Sequence, residues 1–192
     1  MKEKPILFAG EMVRAILEGR KTQTRRVMKI QPKYSDCALS RLADTTDRER
    51  RKHIDKLHWV RLSDDRLNVV YDDNRYFRCP YGLSGDRLWV RETFTVMGGL
   101  SFYRADGEMS SDDKKPWTPS IHMPRWASRI DLLIKNIRVE RLQDISEKDA
   151  KAEGVDSVSE FIELWESINR GDSWGLNPWV WVVEFEKVKG EG

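Results

Sequence analysis

Glu11-Met12-Val13-Arg14-Ala15-Ile16-Leu17-Glu18-Gly19-Arg20-Lys21-Thr22-Gln23-Thr24-Arg25-Arg26 is the stretch from which the rest of the chain can be read. In its first half, Met12, Ala15 and Ile16 recur at i, i+3 and i+4, which predicts a short helix over Glu11–Glu18. Gly19 stands at the position where a helix turns into the left-handed region and ends. The second half is basic: Arg20, Lys21, Arg25, Arg26 and Lys29 come with no acid between Arg20 and Lys29. Arg20 and Lys21 suit the negative end of a helix dipole without any ligand. Arg25 and Arg26 have no such explanation. A patch of this density favours phosphate contacts, the alternative being a solvated loop.

Working outward, 192 residues are enough for one well-cored domain, here taken as 1–192. With 39% hydrophobic and 34% charged residues and a mean hydropathy of -0.66, the composition is that of a soluble globular protein. No apolar run approaches the roughly 20 residues of a membrane span, so no membrane partner is expected. The first residues, MKEKPILFAGEM, lack the apolar core and cleavage site of a secretory signal, and the expected location is cytoplasmic. A net charge of +2 is too mild to demand a polyanion. Cys37 and Cys79 lie far apart and outside any CxxC, and with His53, His58 and His122 they match no zinc spacing. Neither a metal nor another cofactor is expected.

The remaining segments predict an α+β fold. Pro5–Phe8 reads as extended, while residues 31–80 are polar, with a solvated helix at Asp47–Lys56 and a short strand at Leu67–Tyr71. We read two insertions in the domain, at about 27–84 and 93–127. Asp86–Glu92 is a strand with Leu88 and Val90 on a core face, and Arg87, Trp89 and Arg91 on a face suited to a groove or a stacking surface. Around Gly98-Gly99 a hairpin or loop is expected, and Trp117–Trp126 is too rich in proline for regular structure. Ile130–Leu142 is a strand. Ser146 caps a helix, with Asp149 at N3 and Gly154 closing it. A second helix starts at Ser157, and its stripe Phe161, Leu164, Trp165, Ile168 reads as core packing. Trp179–Val188 is the last strand. Short strands with helices at one end suggest a small curled sheet or barrel.

Lys21 and Thr24 are the pair with chemical interest. Past the helix end they share no face of a regular element, so only a bent backbone brings them together. A lysine could then activate the threonine hydroxyl, and a nearby carboxylate would orient the lysine and tune its pKa.

Ile16–Arg25, with its helix end, Gly-Arg-Lys-Thr and second Thr, resembles the signature of the ASCH family. Gly85-Asp86-Arg87-Leu88-Trp89-Val90 resembles that family's Gly-Asp turn and strand, Leu142–Gly154 its helix, and Val180–Phe185 its last strand. The resemblance implies a PUA-like small β-barrel with flanking helices and a pocket for nucleic acid. In the family's N4-acetylcytidine amidohydrolases the catalytic lysine, threonine and glutamate match Lys21, Thr24 and Glu153. Thr24 would be the nucleophile, Lys21 its activator and Glu153 the orienting group. Gln23 and Arg25 are more polar than those enzymes' equivalents, and this chain is longer. It is more similar to longer ASCH-like proteins of phages and prophages.

The first function expected is therefore an RNA- or modified-nucleobase-binding protein. Arg20, Arg25, Arg26, Trp89, Arg91, His122 and Arg125 would contact RNA or a modified nucleoside. The second is a hydrolase on the same pocket, an amidohydrolase or ribonuclease, with Lys21, Thr24 and Glu153 catalytic and His122 a further acid–base group. The third is a phage accessory protein that meets a protein partner through its tryptophans.

Overall fold

The computed structural model describes residues 1–29, 31, 37–41, 57–62, 69–71, 79–107, 116–169 and 171–188, with 37–41, 57–62 and 69–71 as backbone. The elements, in chain order, are β1 (Glu3–Leu7), α1 (Gly10–Leu17), β2 (Gln23–Val27), β3 (Cys37–Arg41), β4 (Leu57–Leu62) and β5 (Val69–Tyr71). Next come β6 (Arg87–Arg91), β7 (Phe94–Met97), β8 (Leu100–Tyr103), β9 (Asp131–Arg141), α2 (Glu147–Glu153), α3 (Val158–Asn169) and β10 (Trp179–Lys187). The chain divides into two compact units, one made of Met1–Val27 with Tyr81–Gly192, the other of Met28–Pro80.

In the first unit a five-stranded sheet runs in the order β1-β6-β9-β10-β2. Only β1 and β6 are parallel; the other pairs are antiparallel. The fold is a small α+β fold, but the expected barrel is not closed: β1 and β2 are the two edges of the ladder. A side chain reaches between these edges instead. Arg26 donates from Nη2 to the Leu7 carbonyl at 2.5 Å, and its guanidinium lies 5.2 Å from the centre of the Phe8 ring.

Each element can be traced to its sequence. α1 buries Val13, Ala15 and Ile16, and Gly19 ends it with a φ of +78°. α2 carries a complete capping box: Ser146 accepts from the Asp149 N–H, and the Asp149 carboxylate accepts from the Ser146 N–H. β10 is apolar at six of its nine positions, Trp179–Val183 and Phe185, where both of its faces are covered. Val180 and Val182 pack with Leu142, Ile145, Ala150, Phe161 and Trp165 under α2 and α3. Trp181 and Val183 point to the opposite face.

The segment after β6 is a β7–β8 hairpin turned by Gly98 and Gly99, continued beyond residue 115 by short 3-10 turns at Ser120–His122 and Arg125–Ala127. Phe94, Met123 and Ala127 give it a small core of its own, and the Tyr103 hydroxyl donates to the Ala127 carbonyl. Arg129 forks onto the buried Glu92 and the exposed Asp106, a charge-assisted clamp on the base of this segment.

In the second unit β3, β4 and β5 form an antiparallel sheet in that order. Val69–Tyr71 is strand, within the stretch 67–71 read as one. The helix expected at Asp47–Lys56 and residues 67 and 68 lie outside the described residues. Among the described residues no helix is long and apolar enough to cross a membrane.

Candidate functional site

The centre of the site is the contact between the end of α2 and the start of β2. Gly154 closes α2 with a φ of +93°, and a Cβ there would stand 3.0 Å from the Ala15 Cβ and 3.1 Å from the Lys21 Cβ. Only glycine combines that left-handed turn with so close an approach. Backbone bonds then fix the register. The Thr22 N–H donates to Ala152 O at 2.8 Å, and the Lys21 N–H to Ala15 O at 3.0 Å. Arg20 donates to Gly154 O from Nη1 and to the Glu18 carboxylate from Nε, so it ties two helix ends together.

Lys21 is thereby driven inward. Its side chain is wholly buried, and Nζ donates to Glu153 Oε2 at 2.7 Å and to the Glu153 carbonyl at 2.8 Å. The carbonyl is one of the free acceptors at the C-terminus of α2, where a cation is favoured. The Phe8 ring centre lies 5.7 Å from Nζ. Burial holds the Lys21 pKa below its ordinary value, with Glu153 acting in the opposite sense and Arg26 and Arg25 adding to the depression.

Arg25 and Arg26 do not make an open phosphate patch. The Arg25 side chain is fully buried and meets Glu140 at 3.1 Å, Asp149 at 3.4 Å and Glu153 at 3.5 Å. β2 pairs Arg25 with Val182, which puts the guanidinium on the face covered by α2 and α3, 6.0 Å from the centre of the Phe161 ring. Arg138 extends the network to Glu140, Glu184, Gln23 and Asp149. Burial works against the charged form of Asp149. Hydrogen bonds from Ser146, together with Arg25 and Arg138, outweigh it and hold the pKa at about 2. The terminal nitrogens of Arg25 are therefore taken up by an internal ion network, because a guanidinium placed on this inward face has to be paired.

Two cavities meet at Glu153. The smaller, of about 130 Å³, is lined by residues of β2 (Thr24, Arg25, Arg26, Val27), by Tyr81 and Glu153, and by α3 through Phe161, Leu164, Trp165, Ile168 and Asn169, with Met12 at its side. Three of these lining residues hold buried N–H groups with no acceptor among the described residues: Arg25 Nε, Arg26 Nε and Trp165 Nε1. The larger, an open groove of about 550 Å³, runs between α1 and α3 over Glu153, Gly154 and Val155. Met12, Glu153 and Leu164 line both.

Of the residues expected to be catalytic, Lys21 and Glu153 are joined directly. Thr24, on the neighbouring stretch of β2, lines the smaller cavity with Glu153 but is hydrogen-bonded to neither partner. The second group of expected contacts lies elsewhere. Trp89 is buried rather than open for stacking, and both Arg91 and Arg125 cover its ring, at 4.7 and 5.9 Å from its centre. Arg125 is bound to Glu3 and Asp131, and His122 stands exposed on its 3-10 turn. None of these four lines either cavity. Sequence reading missed the α3 stripe: Phe161 and Trp165 are core residues as expected, yet with Leu164 and Ile168 they also form the cavity wall. No sequence signal separates the two roles, since an i, i+3, i+4, i+7 stripe reads the same whether it covers a core or borders a cavity. Among the described residues no group of His, Cys, Asp and Glu could hold a metal ion.

No protein-family model matches the chain, and no curated protein does. Among solved structures it is similar to the crystal structure of hypothetical protein PH0355, at 14% identity and a TM-score of 0.41, over 98% of this chain and 100% of that one. So remote a likeness bears on neither activity nor ligand.

Proposed function

We propose that this is a nucleobase-binding protein of the ASCH kind, PUA-like in its sheet and flanking helices, that receives a single modified base in the cavity between β2 and α3. The observation that supports it most is the set of unpartnered N–H groups on Arg25, Arg26 and Trp165 around one small space. A buried donor without an acceptor costs about 1–3 kcal/mol, and a ligand edge carrying carbonyl or ring-nitrogen acceptors relieves it. Phe161, Trp165 and Tyr81 offer apolar and aromatic surface for the flat ring, as in the recognition of splayed-out bases. The cavity is small beside the roughly 300–1,000 Å³ of ordinary ligand pockets, so it suits one ring and not a polymer. With Lys21 and Arg25 committed to carboxylates, the base and not the phosphate backbone is the recognised part.

Titration calorimetry with cytidine, N4-acetylcytidine and the other common nucleosides tests this. Saturable binding of at least one, weakened about tenfold or more by Arg26→Met, is expected. No heat from any of them at millimolar concentration overturns it.

Hydrolysis is the second reading, and the depressed pKa of Lys21 favours it. The Thr24 hydroxyl would add to the acyl carbon of an N-acyl base, its proton passing to the Lys21–Glu153 pair. The C–N bond would then break with that proton going to the base nitrogen, and water would cleave the acyl–threonine ester to release the acid. Thr24 is not hydrogen-bonded to Lys21, which is why binding stands first. Incubation with N4-acetylcytidine decides it: release of acetate by the wild type and none by Thr24→Val is expected. Equal release by both removes Thr24 from the chemistry.

A further inference from the structure

The open groove between α1 and α3 has a charge opposite to that of the segment beside it. Its walls carry Glu11 of α1, Glu18 just past its end, Glu153 of α2, and Glu160 and Glu163 of α3, against Arg14 and Arg20. Both arginines are already engaged, Arg14 with the Ala105 carbonyl and Arg20 with Glu18 and Gly154. Glu18 is thereby paired, and Glu160 accepts from the Asp156 N–H. The carboxylates of Glu11 and Glu163, on opposite walls, have no hydrogen bond or ion pair among the described residues. Between them the floor is apolar, with Met12, Ala15, Val155 and Leu164.

The second observation lies next door. Met12, Leu164 and Glu153 belong to the walls of both cavities, so the groove and the donor-lined compartment are neighbours across two apolar side chains. In that compartment Trp165, 5% exposed, keeps an indole N–H without an acceptor among the described residues. The inner space holds N–H groups without acceptors, and the adjoining groove holds two carboxylates without cations. We infer that the ligand is bipartite: a base in the inner compartment bearing an alkyl or acyl chain that ends in an amine, its methylenes over Met12 and Leu164 and its ammonium between Glu11 and Glu163. An aminoalkyl chain has the required form, an apolar stem with a charged head that stays close to water. This rests on the nucleobase reading above and adds the class of substituent.

Three ligands separate the two ideas: cytidine, an N4-acylcytidine with a neutral six-carbon chain, and its analogue carrying a terminal amine. Each is titrated into the full chain and into the double variant Glu11→Gln/Glu163→Gln, whose substitutions spare the core. The amine analogue is expected to bind about three- to tenfold tighter than the neutral one, as two exposed ion pairs allow. That advantage should vanish in the variant while the neutral analogue binds unchanged. Equal affinity of the two analogues for the wild type, or an advantage that survives in the variant, overturns the inference and leaves the base pocket standing. Binding of a lysine-rich peptide as tight as that of the amine analogue overturns it too, by making the groove a peptide site. If neither these three nor any other common nucleoside binds the wild type, the nucleobase reading falls and takes this one with it, whereas binding of another nucleoside and none of these three overturns this inference alone.

Discussion

A lysine ammonium removed from water costs several kcal/mol unless a partner compensates. Lys21 has its compensation twice over, from the carboxylate and the carbonyl of Glu153. Lys21→Met leaves the buried Glu153 with only the longer Arg25 contact, and a loss of about 3–5 kcal/mol in denaturant unfolding is expected. Adding Glu153→Leu should recover part of that loss, since removing both charges leaves no orphan. A double variant no more stable than the single one would show that the pair is not what holds the site. At this scale the sequence was half legible. It named Lys21 and Glu153 through a resemblance to known proteins. It could not tell that Arg25 turns inward while Arg26 reaches the Leu7 carbonyl, because β-strand alternation fixes relative faces and not which face is covered.

At the scale of elements, α2 is the hinge between sequence and site. Its capping box was readable from Ser146, Asp149 and Gly154, and those residues also aim Glu153 at Lys21. Asp149 does double duty as N3 cap and as partner of Arg25 and Arg138. With its pKa held at about 2, below the ordinary carboxylate value, its contribution is fully present above about pH 4 and disappears as pH falls through 2. Thermal unfolding monitored from pH 5 to pH 2 should show this acid loss in the wild type and a smaller one in Asp149→Asn. The same slope in both would place the acid sensitivity elsewhere. α3 was harder to read. Its apolar stripe predicted packing, and packing is what Phe161 and Trp165 do. That the same face also borders a cavity depends on how far β2 stands from α3, a distance the sequence does not contain.

For the whole molecule, the net charge made no demand for a polyanion but the basic segment Arg20–Lys29 favoured phosphate contacts, and the ion network weighs against them. Arg25 of β2 and Arg138 of β9 are paired with Glu140, Asp149, Glu153 and Glu184, so these two cations are already neutralised and displace no counterions. Nucleoside affinity should therefore change less than about twofold between 50 and 200 mM salt, where phosphate-tracking proteins lose orders of magnitude. A steep salt dependence would return the phosphate reading to first place. The sequence by itself determined the helices, their caps, most strands and the mixed α+β class, because these rest on local periodicity and on residues with few backbone options. Only the tertiary structure decided that the sheet stays open between β1 and β2, that Trp89 is covered by two arginines, and that the basic segment faces acids. The last of these comes from pairings between residues 115 to 132 positions apart, Lys21 with Glu153 among them, and burial forces each charge to find its partner there.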